Sequence, residues 1–214
     1  MWNSQVIVML LEGIRDTLYM TLASTLFGYI IGLPMGIVLT VTDKDGIRPN
    51  AAVYKVLDVI SNLLRSIPFI ILLIVLIPFT RFVVGRSYGS TATIVPLTIA
   101  AAPYIARMVE SSLKEVDAGV IEAARSMGAS DFQIVTRVML VEARTSLIVG
   151  ATISLGTILG YSAMAGTVGG GGLGDIAIRY GYTRWQTDIM IVTVILLVIL
   201  FQIFQTIGMK LASN

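Results

Sequence analysis

Residues 189–209 read IMIVTVILLVILFQIFQTIGM, with no Asp, Glu, Lys or Arg among them. A helix needs about 20 predominantly apolar residues to cross the hydrocarbon core of a bilayer, and this stretch supplies them in one piece. Lipid is therefore its solvent. Working outward, the uncharged runs 17–42, 87–106 and 145–174 reach the same length, the last ending in a glycine-rich tail too polar to be all membrane. The run 66–80 is about three-quarters of the required length and has to borrow from the residues before it. There Lys55, Asp58, Asn62 and Arg65 recur at steps of three, four and three, one stripe of a helix, with Val53, Val56, Leu57, Ile60, Leu63 and Leu64 filling the rest. That spacing predicts a single helix over 53–79. The expected architecture is an all-α integral membrane protein of about five transmembrane helices. It forms one domain over 1–214, with spans at 17–41, 53–79, 88–110, 145–166 and 189–209 and a loop at 111–143.

Composition agrees. Hydrophobic residues make up 56% of the chain and charged ones only 13%, outside the balance of a soluble domain. The formal net charge of +2 is spread through the loops with no basic block, so nucleic acid is not an expected partner. There is no Cys and no His, which excludes thiolate metal sites, cysteine nucleophiles, imidazole bases and disulfides. No metal site is predicted. The stretch 1–11 carries no basic residue ahead of its apolar ones, so a cleaved signal peptide is not expected.

Basic residues divide unequally between the two faces of such a bundle. Lys44, Arg48, Lys55, Arg107, Lys114, Arg125, Arg137, Arg144 and Lys210 fall on one, and Arg15, Arg81, Arg86, Arg179 and Arg184 on the other, with Arg65 inside a span. The richer face is read as cytoplasmic, which puts the N-terminus outside and the C-terminus inside. Gly28, Gly32 and Gly36, at steps of four, cut a smooth groove along the first span, read first as packing within one bundle and second as a dimer seam. Gly150, Ser154, Gly156 and Gly160 do the same in the fourth. No internal repeat argues for an inverted-repeat carrier.

The loop 111–143 is too long for a turn and holds two legible helices. The first runs over 120–127 and ends at Gly128, a residue that takes the left-handed conformation at a helix C-terminus without steric cost. Ser130 with Gln133 forms a capping box that opens the second, in which Phe132, Val135, Val138 and Met139 share an apolar face. Helix, glycine corner and helix make a rigid protrusion, a shape suited to receiving force from a partner.

These residues resemble a known family. Glu122-Ala123-Ala124, Gly128, Val138 and Leu140 follow the E-A-A-x3-G-x9-I-x-L-P pattern of permeases of ATP-binding-cassette importers, with Val141 standing where the pattern has Pro. The resemblance implies a type I importer permease fold whose loop docks into a groove on a separate ATPase. Glu122 would then pair with basic groups of that ATPase, Ala123 and Ala124 allow close approach, and Gly128 with Ser130 fixes the corner. The segments Arg65-Ser66-Ile67-Pro68-Phe69-Ile70, Val95-Pro96-Leu97-Thr98 through Ala106-Arg107-Met108-Val109-Glu110, and Gly160-Tyr161-Ser162-Ala163-Met164 onward to Leu173-Gly174 are similar to the methionine-importer branch. That likeness covers most of 15–210. It implies a homodimer of this chain in the bacterial inner membrane and two cytoplasmic ATPase subunits that hold ATP and Mg. It also implies an outer-face methionine-binding protein, often a lipoprotein, and no cofactor on the chain itself.

Other motifs carry less. Gly169, Gly171 and Gly174 satisfy G-x-G-x-x-G, but at the end of a span with no preceding strand, and no P-loop occurs, so the motor is another polypeptide. Arg65 and Asp58 are charges inside a predicted span and mark either the pathway or a structural anchor. Tyr161, Ser162 and Met164 are candidates for the gate or pathway, with plain helix packing the alternative reading. A permease for other small amino acids is the second functional reading. An intramembrane enzyme is a remote third, because no second acid within the uncharged runs shares the depth of Asp58.

Overall fold

The structure, a computed structural model, describes residues 4–213; residues 1–3, which open the stretch read for a leader, and residue 214 lie outside the described residues. The first helix, α1 (Ser4–Thr42), begins well before the Arg15–Asp16 pair that bounded the uncharged run. Its glycines at 28, 32 and 36 are buried against α5 (Ser90–Lys114), the helix at the centre of the chain. A Cβ at Gly32 would stand 2.6 Å from the Ala102 carbonyl oxygen, and one at Gly36 would stand 2.7 Å from the Val109 Cβ. Between helices in lipid, where apolar tails compete equally for apolar side chains, such backbone-to-backbone closeness is a main source of attraction.

The expected single helix over 53–79 is not formed. α2 (Ala51–Ser66), capped by the Asn50 side chain accepting from the Val53 N–H at 3.2 Å, gives way at Ile67 and Pro68 to α3 (Phe69–Val75), and the two axes meet at a bend of 101°. Pro68 causes it: its ring displaces the preceding turn, it has no N–H for the Leu64 carbonyl, and it drives Ile67 into the extended region at φ −81°, ψ 124°. Leu76 then joins α3 to α4 (Ile77–Val84). The charged stripe and the apolar run therefore belong to different helices. Among the described residues four helices are long and apolar enough to cross a membrane, or five spans if the broken pair counts as one.

After α5 the chain makes α6 (Ala118–Ser126), then α7 (Asp131–Gln133), which passes through a wide π-turn at Ile134–Met139 into α8 (Leu140–Glu142). Ala143 separates this from α9 (Arg144–Ala165). A short α10 (Gly172–Ile176) and a second π-turn, Ala177–Tyr182, lead to α11 (Thr187–Ala212). At Gly156 a Cβ would stand 2.6 Å from the Phe201 ring, which sets how closely α9 approaches α11. The outer face of α11, with Ile191, Val194, Ile195, Val198 and Ile199, is left exposed, as a lipid-facing helix requires.

Several hydroxyls within the spans are satisfied locally. Thr25, Thr40, Thr152, Ser154 and Thr193 each donate to the carbonyl four residues earlier in their own helix, so an apolar surround imposes no unpaired donor at these sites. The core follows α5 and does not stop at the membrane helices. Met20, Leu97, Ile105, Val109 and Leu113 continue into Ile134, Met139 and Ala143, which root the loop helices in the bundle.

Candidate functional site

Two features meet at the end of the bundle that carries α6, and a third lies further along it, at the break between α2 and α3. The first is the corner. The Asp117 carboxylate accepts from the Gly119 N–H at 2.7 Å and starts α6, whose Ala124 is buried while Glu122 and Ala123 face outward. Arg125 donates to the Ile47 carbonyl at 2.8 Å, tying α6 to the segment after α1. Gly128 sits at φ +83°, where a side chain is strained, and the Ala129 N–H closes the helix end on the Ala124 carbonyl at 3.1 Å. Ser130 and Gln133 then cap each other, the Ser130 N–H donating to Gln133 Oε1 at 2.9 Å and the Gln133 N–H to Ser130 Oγ at 3.4 Å. The corner is thus held by backbone geometry as well as by packing.

One expectation about this corner fails. Phe132 does not share the buried face of Val135 and Met139 but is 77% exposed, and Met127 is 82% exposed. The i→i+5 turn over Ile134–Met139 underwinds the helix and rotates residue 132 off the face that ordinary helical spacing would give it. Met127 and Phe132 are the functional candidates that the sequence reading missed. The outward surface therefore includes a carboxylate, a small residue and two large apolar tips, and Met and Phe are residue types enriched where proteins dock.

The second feature is a chain of ion pairs beneath the corner. Lys114 Nζ lies 2.7 Å from Asp43 and 2.8 Å from Glu110, Arg107 reaches Glu110 at 2.6 Å, and its other terminal nitrogen pairs with Asp58. The Tyr54 hydroxyl donates to Glu110 at 3.3 Å and Asn62 accepts from Arg107 at 3.2 Å. Together they fasten the end of α1, the middle of α2 and the last turns of α5. Glu110, which lies beyond the uncharged run 87–106, is brought to Asp58 by Arg107, which bridges the two across elements that are remote in sequence. No free acid–base dyad results, since each carboxylate is bound by a cation. Outside the spans, the hydrogen bond from Lys114 holds the Asp43 carboxyl below the usual carboxylate range.

The third feature is the break itself. Arg65, at the last turn of α2, and Tyr161, on α9, line one cavity, and the Phe69 and Tyr161 rings stack there with centroids 4.7 Å apart and planes 5° from parallel. The structure does not bring Ser162 and Met164 to it. Ser162 is buried and donates to the Leu159 carbonyl of its own helix at 2.7 Å, while Met164 is half exposed elsewhere on α9.

A sequence profile of the binding-protein-dependent transport system inner membrane components matches residues 28–210. The chain belongs to that family. It is a multi-pass component of the inner membrane whose work is transport and not catalysis. Among relatives, the probable D-methionine transport system permease protein MetI of Vibrio cholerae is 48% identical over 200 residues, 94% of this chain and 89% of that one. The D-methionine transport system permease protein MetI of Escherichia coli K12 is 54% identical over 158 residues, 74% of this chain and 73% of the other. A solved structure described as an inward-facing conformation of the MetNI methionine ABC transporter superposes with a TM-score of 0.97 at 48% identity, covering 99% of this chain and 98% of that chain.

Proposed function

We propose that this chain is the membrane-spanning subunit of an ATP-driven importer that moves methionine, in its L form, its D form or both, across the inner membrane by alternating access. The observation that carries the reading is the capped corner at Gly128, which presents Glu122, Ala123, Met127 and Phe132 on a rooted, outward-facing surface. The working assembly is a homodimer of this chain with two cytoplasmic ATPase subunits, which hold ATP and Mg, and a methionine-binding protein at the outer face. The excess of basic residues at the corner end supports an N-terminus outside and a C-terminus in the cytoplasm. The identity to methionine permeases supports the substrate.

In this reading the chain is a single permease domain over 1–214, with the coupling loop at 111–143. Closing of the ATPases draws the two corners together. The rooted helices pass that motion to α5, and the ion pairs of Arg107 and Lys114 pass it to α1 and α2, so the bundle rocks between inward- and outward-open states. Arg65 and Tyr161 line the route, and Met164 and Ser162 lie along the same helix as Tyr161. Reconstitution with the ATPase and binding protein tests this. Glu122→Lys should leave the chain in the membrane while uncoupling ATP hydrolysis from methionine uptake. Uptake that survives both this substitution and the removal of ATP would sink the reading. A panel of competing amino acids separates methionine from other small amino acids.

A further inference from the structure

The cavity at the α2–α3 break measures about 190 Å³, below the roughly 300–1,000 Å³ of pockets that enclose drug-sized ligands, so it suits one small molecule. Its walls are chemically divided. On one side stands Arg65, exposed at the last turn of α2 and, among the described residues, paired with no acid, so its guanidinium is free to meet an anion. Tyr104 lines the same space, its hydroxyl 3.4 Å from Thr157 Oγ1, whose own proton goes to the Ile153 carbonyl at 3.0 Å. On the other side the stacked Phe69 and Tyr161 offer a flat aromatic wall. Leu64 also lines the space, at the end of α2, where Pro68 has no N–H to give its carbonyl.

We infer that this cavity is a binding site in the permease itself for a zwitterionic amino acid with an apolar, thioether-bearing side chain, held on its way through the membrane. Each half of the lining has a counterpart in that ligand. The carboxylate takes the Arg65 guanidinium in a charge-assisted, two-pronged contact. The ammonium lies toward the carbonyl end of α2, the negative pole of that helix. The sulfur and its methyl group rest on Phe69 and Tyr161, where thioether and ring attract one another. The inference rests on the transport reading above and adds a discriminating site to it.

The test uses the complete permease–ATPase complex in nanodiscs without the binding protein, with equilibrium binding of radiolabelled methionine as the readout. Saturable binding is expected, with Arg65→Ala weakening it roughly 10- to 100-fold and Arg65→Lys less. ATP hydrolysis by each variant reports that the complex is assembled. Two competitors need no variant: methioninol, which lacks the carboxylate, should compete at least about tenfold worse than methionine, and norleucine, which lacks the sulfur, should compete modestly worse. Absence of saturable binding, full binding by Arg65→Ala, or equal competition by methioninol overturns the site. Methionine uptake by the wild-type complex with its binding protein is measured alongside. If uptake occurs without binding in the permease, only this inference falls; if the complex moves no methionine, both readings fall.

Discussion

Replacing Gly32 by Ala puts one methyl carbon where the structure leaves no room. The new Cβ would lie 2.6 Å from the Ala102 carbonyl oxygen and 2.9 Å from the Ile105 Cβ, against the 3.4 Å at which ordinary contact begins. Neither obstacle is the free end of a flexible side chain, so relief requires α1 to move off α5 by about 0.8 Å, which loosens dispersion contacts along the seam. Overpacking of this kind costs about 1–3 kcal/mol, and a rigid backbone obstacle puts Gly32 at the upper part of that range. Gly150 is the control. It is also buried, yet the nearest atom to its added Cβ is 3.5 Å away, so Gly150→Ala should be neutral. The two variants should therefore differ by about 2–3 kcal/mol. Denaturant titration of the purified chain in micelles, followed by helical circular dichroism, measures the difference. Equal stability of Gly32→Ala and Gly150→Ala would refute the packing argument.

Removing one partner of a buried ion pair costs about 3–5 kcal/mol, and the partial exposure of Asp58 and the second partner of Glu110 place Arg107→Ala at the low end. A double-mutant cycle with Asp58→Asn should give a coupling above about 1 kcal/mol, and strictly additive melting shifts would mean that the pair is idle. Gly128→Val forces a branched side chain to φ +83°, at a cost of roughly 1–2 kcal/mol, and should lower ATP-driven uptake without removing the chain from the membrane; undiminished uptake would count against a rigid corner. Because the folded Asp43 carboxyl titrates below its unfolded value, its contact with Lys114 adds stability that is fully present above the unfolded value of about 3.9 and is lost as pH falls through the folded one. The stability gap between wild type and Asp43→Asn should accordingly be flat above about pH 5 and shrink in more acidic buffer, and a gap that widens on acidification would reverse the sign argued here.

Much of this molecule is written locally. Spans such as 189–209 are legible because length and absence of charge are properties of one continuous segment. The corner is legible for the same reason: Ser130, Gln133 and Gly128 act within a few residues of one another. The bend was signalled by Pro68, but the apolar run after it, too short to cross alone, invited a joined helix. Arg107 finding Asp58 and Tyr161 finding Phe69 were not legible, since these partners are separated by whole helices and meet only through tertiary packing. Phe132 was misplaced because its face depends on a π-turn, which ordinary helical periodicity does not encode.

The break at Pro68 also bears on how the chain is built. α2, with 16 residues, rises only about 24 Å and α3, with 7, about 10 Å, so neither half can cross the bilayer as an autonomous helix. The region between the first span and α5 has no membrane address of its own. It acquires one only when α5 has been synthesised and can offer Arg107 to Asp58 and a wall for Phe69. A nascent chain halted before Ser90 would leave residues 51–84 lying at the interface, and α5, the second of the long apolar helices to emerge, is the element whose arrival threads them.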